Sequence, residues 1–173
     1  MQRSQLLDLV ARLQEGDSTA LEPFIEATQQ AAYKLALSHL HDPQLSQDAV
    51  QDAYLSVYQN IGKLRDVNAF RTWFFRIITN CCRDLARKRK PEANLEAVAE
   101  QAAPASSPED KLSVRQAFEA LGEQDRTILT LREVCQCSYE EMATSLEVPV
   151  GTIKSRLAKA RQRFLKVFMG GKS

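Results

Sequence analysis

The chain has 173 residues, 44% apolar and 26% charged, with a net charge of +1; this suits one medium globular domain or two small ones and argues against wholesale disorder. No apolar run approaches the roughly 20 residues that cross a bilayer, and Met1 to Asp8 lacks the basic-then-apolar order of a secretory signal, so no membrane insertion and a cytoplasmic location are expected. The near-neutral total conceals an uneven distribution: eight bases against two acids give +6 over Arg65 to Lys90, and seven against none give +7 over Gly151 to Ser173, while Met1 to Leu64, Pro91 to Asp110 and Lys111 to Val150 carry −4, −5 and −3. Two concentrated basic blocks suit contact with two stretches of a polyanion, and the acidic remainder limits indiscriminate binding.

In chain order, apolar residues recur at helical spacing in four segments before residue 90. They are Leu6, Val10, Leu13; Leu21, Phe24, Ile25, Ala32, Leu35, His39; Val50, Ala53, Tyr54, Val57, Tyr58, Ile61; and Phe70, Trp73, Phe74, Ile77, Ile78, Cys81, Leu85. Asp42-Pro43 and Asn60-Ile61-Gly62 interrupt the pattern where turns are expected. The stretch Pro91 to Pro108 has no Lys or Arg, is rich in Ala, Glu, Pro and Ser, and reads as a flexible acidic linker. Ser107-Pro108-Glu109-Asp110 then gives a helix start: a capping hydroxyl, proline at the first position, and acids at the positive end of the helix dipole. Four shorter helices are predicted beyond it, around Val114 to Leu121, Asp125 to Val134, Ser138 to Leu146 and Val150 to Phe168. The expected fold is all-α: a helical domain over 1–90, a linker over 91–108 and a second small helical domain over 109–173.

The segment Ser138 to Arg163 is the most informative. Ser138 and Glu141 form a capping box that starts a short helix with Met142, Ala143 and Leu146 inward; Glu147-Val148-Pro149 ends it; a longer basic helix follows, with Ile153, Leu157, Ala160, Phe164 and Phe168 inward. That pattern is a helix-turn-helix, whose second helix can enter a major groove. Thr152, Lys154, Ser155, Arg156 and Lys159 face outward near its start and suit base edges and phosphates; Arg161, Arg163 and Lys166 suit phosphates.

In the fourth segment Thr72, Arg76, Thr79 or Asn80, Arg83 and Arg87 form one polar and basic stripe opposite the apolar face. The turn before it, Gly62 to Asn68, offers hydrogen-bonding groups for an unstacked base. Trp73 and Phe74 read as core, whereas Phe75 lies off the apolar stripe and is the better stacking candidate. In the third segment Asp48, Gln51, Asp52 and Gln59 lie opposite the apolar residues, an acidic face suited to a protein partner or simply to solvent.

Together these residues resemble the extracytoplasmic-function group of bacterial sigma factors, over nearly the whole chain. Asp48-Ala-Val-Gln-Asp-Ala-Tyr-Leu55 resembles the helix that docks on the polymerase clamp; Phe70-Arg-Thr-Trp73 with Arg76-Ile77, Asn80, Asp84 and Arg87 resembles the promoter-melting helix; Val148 to Arg156 with Ala160-Arg161 resembles the upstream-element reader. The resemblance implies a non-enzymatic factor that binds core RNA polymerase through Asp48, Gln51, Asp52 and Leu55. Single-stranded downstream promoter DNA would meet Lys63, Arg65, Asn68, Phe70, Arg76, Asn80, Arg83 and Arg87, and the duplex upstream element would be read by Thr152, Lys154, Ser155, Arg156 and Lys159 with Arg161 and Arg163. An anti-sigma partner is a further implication. The chain departs from the family at Ala158, where a larger side chain is common, and at Cys81-Cys82.

The nearest rival is a stand-alone helix-turn-helix regulator, which leaves the Arg76 to Arg87 stripe and the Asp48 to Asp52 face without a purpose. For an enzyme the chain has no phosphate-binding G-x-x-x-x-G-K, no H-E-x-x-H and no nucleophile elbow; no metal or cofactor is expected, and His39 and His41 point to different sides of a helix. Cys81, Cys82, Cys135 and Cys137 lack disulfide or zinc spacing and read as buried or idle thiols, with redox or metal sensing as the alternative.

Overall fold

A computed structural model describes residues 3–89 and 114–170. The predicted linker and the helix start at Ser107 to Asp110 lie outside the described residues. Among those residues the secondary structure is helical, as the periodicity predicted, with no strand.

In the first domain α1 (Arg3–Gln14) buries Leu9, Val10 and Leu13 along one face. Gly16 follows at φ 86°, a left-handed conformation that glycine adopts without steric cost. Asp17 accepts the Thr19 N–H at 2.9 Å and caps a 3₁₀ turn, Ser18–Ala20, that leads into α2 (Leu21–Leu40). The predicted break at Asp42-Pro43 is a built corner. His41 turns left-handed, Pro43 takes the first position of α3 (Pro43–Asn60), and Asp42 accepts the Leu45 N–H at 3.0 Å. That hydrogen bond, with the ion pair to Arg89, holds the Asp42 carboxyl below the usual carboxylate range. Two further 3₁₀ turns, Ile61–Lys63 and Val67–Ala69, deliver the chain to α4 (Phe70–Arg89).

The core of this domain is aromatic. Phe24 meets Phe70 and Phe74 edge-on with ring centroids 5.5 and 6.0 Å apart, Phe70 stacks on Phe74 at 5.4 Å, and Tyr54 closes the cluster 6.0 Å from Phe24. Each such ring contributes about 1.5–3 kcal/mol through area removed from water. Tyr54 keeps its hydroxyl satisfied by Thr28, 2.8 Å away, which in turn donates to the Phe24 carbonyl.

The second domain comprises α5 (Val114–Glu119), α6 (Glu123–Leu129), α7 (Tyr139–Leu146) and α8 (Val150–Gly170). The segment predicted as one helix from Asp125 to Val134 widens into a π-helical turn at Thr130–Val134, which the apolar period did not signal. Ile153, Leu157 and Ala160 of α8 are buried, while Phe164 and Phe168 stack on each other 5.9 Å apart and are half-buried.

The two domains are docked. α4 packs on α2 and α3 and also meets α7, while α2 meets α6 and the π-helical turn. This double packing corrects the sequence reading of α4. Phe75, expected off the packed face and free to stack on a base, is 4% exposed; Cys82 is buried where Cys81 was expected to be, and Cys81 is half-buried. A helix with neighbours on two sides buries a wider arc than one apolar stripe predicts.

Candidate nucleic-acid interface

Local geometry fixes the helix-turn-helix. Ser138 Oγ accepts the Glu141 N–H at 3.1 Å and Glu141 Oε2 accepts the Ser138 N–H at 2.8 Å, the reciprocal cap expected from the sequence. α7 ends at Glu147 in a left-handed conformation, φ 58°, and the Val148 N–H returns to the Ala143 carbonyl at 3.0 Å. The Thr152 and Ile153 N–H groups donate to the Pro149 carbonyl, so α8 starts within three residues of the end of α7.

At the start of α8 the side chains of Lys154, Ser155, Arg156 and Lys159 are exposed and Thr152 is half-buried. Ser155 Oγ donates to the Thr152 carbonyl at 3.1 Å, and the Lys154 ammonium lies 5.9 Å from the ring of Tyr139, which aligns it along the α7–α8 corner. Arg161 and Arg163 are differently placed. Arg161 pairs with Glu133 at 2.7 Å and Arg163 with Asp125 at 2.8 Å, so both guanidiniums tie α8 to the preceding helical segment. Asp125 is largely buried, and Arg163 supplies its countercharge.

On α4 the residues Arg76, Asn80, Arg83 and Arg87 are exposed in one stripe, and the choice between Thr79 and Asn80 falls on Asn80, because Thr79 is buried and faces His39 Nε2 at 3.5 Å. Arg76 is paired with Glu147 of the second domain at 2.6 Å, and Arg87 with Asp84. Phe70, expected at the DNA surface, is fully buried in the aromatic core: its ring is sandwiched by Phe24 and Phe74, so it supports the loop from below and presents no face to a ligand.

In that loop Lys63, Arg65 and Asn68 are exposed. Lys63 donates to Asn60 Oδ1 at 2.8 Å, and Asp66 accepts both the backbone N–H and the side-chain amide of Asn68, at 2.9 and 3.2 Å. The sequence reading missed Gln14: its amide nitrogen donates to the carbonyls of Ile61 at 3.2 Å and Leu64 at 2.6 Å, fastening the loop to α1. A lone glutamine at a helix end carries no sequence signal that would have found it.

On α3 Gln51, Asp52 and Leu55 are exposed and Asp48 is half-buried. Leu55 and Tyr58, each 58% exposed, border an 880 Å³ groove between α2 and α3 that Ile25, Val50 and Tyr54 also line and that Asp48 and Gln51 rim. An apolar groove with an acid and amide rim suits an amphipathic helix carrying basic residues.

Docking does not gather the thiols: among the described residues no three His, Cys, Asp or Glu side chains converge in a metal-like group. Burial pushes Cys82, Cys135 and Cys137 up to about 12 and Cys81 to about 11, far from the reactive thiolate range. No helix among the described residues is long and apolar enough to cross a membrane.

The family models for Sigma-70 region 2 and Sigma-70 region 4 match residues 24–92 and 111–164. The RNA polymerase sigma-H factor of Pseudomonas aeruginosa is 35% identical over 172 residues, covering 89% of each chain. The ECF RNA polymerase sigma-E factor of Escherichia coli K12 is 32% identical over 177 residues, covering 91% of this chain and 92% of its own. Among solved structures, CnrH in complex with the cytosolic domain of CnrY superposes with a TM-score of 0.69 over 95% of this chain and 97% of its own, at 20% identity. The sigma factor RpoE of Bartonella quintana, in complex with the anti-sigma factor NepR, gives 0.67 over 86% and 96% at 23% identity. At those identities the superpositions speak for the fold, and the two regions in order, with relatives above 30% identity along most of the chain, establish that it belongs to the extracytoplasmic-function sigma factors of bacterial RNA polymerase.

Proposed function

We propose that this sigma factor divides promoter recognition among three surfaces. α3 and its groove dock core polymerase through Asp48, Gln51, Asp52 and Leu55. The loop bearing Lys63, Arg65 and Asn68, with Arg76, Asn80, Arg83 and Arg87 of α4, takes the single-stranded downstream element; Phe70 acts from beneath as a buttress. Thr152, Lys154, Ser155, Arg156 and Lys159 read the upstream element as duplex, while Arg161 and Arg163 hold α8 in place and reach phosphates only by leaving Glu133 and Asp125. The domain limits that go with this division are 1–90 and 109–173. The factor acts as a transcription initiation factor without catalysis of its own, in the cytoplasm with polymerase, and an anti-sigma partner is proposed to hold it in reserve.

The observation that carries this reading is the presence of regions 2 and 4 on one chain, since a stand-alone regulator would need only the helix-turn-helix. The test is transcription in vitro on fragmented genomic DNA of the source organism, with core polymerase alone and with the protein added. New start sites sharing a two-part upstream motif are expected. If polymerase gains no start sites while the protein alone protects a duplex operator, a stand-alone regulator takes its place.

A further inference from the structure

Arg65 is exposed, and among the described residues neither its guanidinium nor its backbone N–H meets a partner. It stands one residue beyond Leu64, where the 3₁₀ turn Ile61–Lys63 gives way to extended backbone, φ −71° and ψ 110°. The peptide plane between Leu64 and Arg65 lies outside any helical ladder at such a junction, so something else must fix its rotation. Gln14 of α1 does so. Its amide nitrogen donates to the Leu64 carbonyl at 2.6 Å and to the Ile61 carbonyl at 3.2 Å, which spends both amide hydrogens on the loop. The Ile61 carbonyl also accepts the Leu64 N–H at 3.1 Å, so the turn is closed from within and from α1 at once.

The anchor is itself braced. α1 ends in two reversing hydrogen bonds, Gly16 N–H to the Leu13 carbonyl at 3.1 Å and Asp17 N–H to the Arg12 carbonyl at 3.0 Å, with Gly16 left-handed. Arg12 pairs with Asp17 at 2.8 Å across that end, and Leu13 is buried next to Gln14 in the chain. The loop packs chiefly on α1, α3 and α4 of the first domain rather than at the seam where α4 meets α7 of the second. A trans peptide sets its N–H opposite its carbonyl. The Leu64–Arg65 bond is trans, so a Leu64 carbonyl drawn toward α1 turns the Arg65 N–H away from it, to the exposed side.

We propose that Gln14 is a positioning residue for base selection: it locks the Leu64–Arg65 peptide so that the Arg65 N–H and guanidinium face the single strand together, as donors for the acceptors of one unstacked base. The proposal rests on the assignment of this loop to the downstream element. A base with neighbouring acceptors on one edge is then favoured over a base that offers a donor there. Without the Gln14 amide the plane rotates and the two donors come apart, while the guanidinium still attracts phosphate without choosing a base. Gln14 touches no DNA; it acts through Arg65.

The experiment is transcription in vitro by core polymerase with the full chain, on one promoter pool randomised in the downstream element and a companion pool randomised upstream, read by sequencing the transcripts. Gln14→Met keeps the length of the side chain and removes its donors. At one downstream position its discrimination between the best and worst base should fall about fivefold, the low end of what a contact to one base edge commands, and the upstream profile should stay as in wild type. Arg65→Ala should flatten the same position, and adding Gln14→Met to it should change nothing further, since residues acting as one unit do not add. Thermal melting followed by circular dichroism checks the fold of each variant. An unchanged profile in Gln14→Met, an equal loss at every downstream sequence, or additive losses in the double variant would each overturn the proposal. A second measurement needs no polymerase: the NMR order parameter of the Arg65 amide, about 0.85 for rigid backbone, should drop toward about 0.6 in Gln14→Met, and an unmoved value overturns the lock. If wild-type protein gives core polymerase no start sites, the assignment of the loop fails and base selection with it, while the order parameter still decides whether Gln14 holds the peptide.

Discussion

The two basic helices of this sigma factor are built on the same plan and held in opposite ways. α4 and α8 are about equally long, amphipathic and basic, but α8 leaves Lys154, Ser155, Arg156 and Lys159 exposed at its start, whereas the start of α4 is covered by the other domain and Arg76 is paired there. On the proposed division of promoter recognition, the difference follows from what each surface would meet. Duplex DNA presents itself ready made to a helix in its major groove, so a reader can stand exposed; separated strands exist only once melting has begun, so a surface for them gains nothing from earlier exposure. A basic residue count alone cannot tell these two situations apart.

The largest effect is expected with alkali, which should strike the side of the molecule around α4 and the seam. Cys82, Cys135 and Cys137 are pushed up to about 12 by burial, against an ordinary value of 9.0, so between pH 9 and 12 the unfolded chain sheds thiol protons that the folded chain keeps. Stability is then full below pH 9 and falls as pH rises toward 12; urea midpoints should drop across that window, and Cys82→Ala should blunt the fall. An unchanged slope in that variant would show that Cys82 is not the buried thiol described. Next is Phe70→Ala, which should cost about 3–5 kcal/mol by opening the aromatic core. If urea unfolding instead finds normal stability with promoter melting lost, Phe70 belongs to the DNA surface after all.

On α8 the comparison can be made within one helix. Arg156→Ala should leave thermal stability within about 0.5 kcal/mol of wild type and weaken upstream discrimination by about 1–3 kcal/mol, read from start-site choice in vitro. Arg163→Ala should do the reverse, losing about 1–2 kcal/mol of stability because Asp125 is left largely buried without its partner. Equal losses of promoter discrimination in the two variants would erase the distinction between reading and bracing. The smallest effect is expected for Gln14→Ala, about 1 kcal/mol, visible as faster amide exchange across Ile61 to Leu64.

Much of this architecture is written in local patterns. The capping box at Ser138 and Glu141, the corner at Asp42-Pro43 and the inward positions Ile153, Leu157 and Ala160 each depend on residues within a few positions of one another, and each is found where the sequence reading put it. What was not legible depends on a second surface. Phe75, Thr79 and Cys82 are buried by helices far away in sequence, Arg163 finds its partner 38 residues back, and Arg76 its own 71 residues ahead. Periodicity reports how a helix is divided between wet and dry, but it cannot say how many neighbours share the dry side. The π-helical turn at Thr130–Val134 escaped for a related reason: one wider turn leaves the apolar spacing on either side intact.

The amide of Gln14 sets the shape of a loop that it does not belong to. It lies ten residues before the start of the matched region 2, yet it holds the carbonyls of Ile61 and Leu64, beside Lys63 and Arg65. The first helix therefore behaves as a tuning peg for the loop proposed to take the downstream element: repacking α1 would move the loop without altering one of its own residues. Grafting that loop onto another sigma factor would transplant the letters and leave their spacing behind, unless α1 travelled with it.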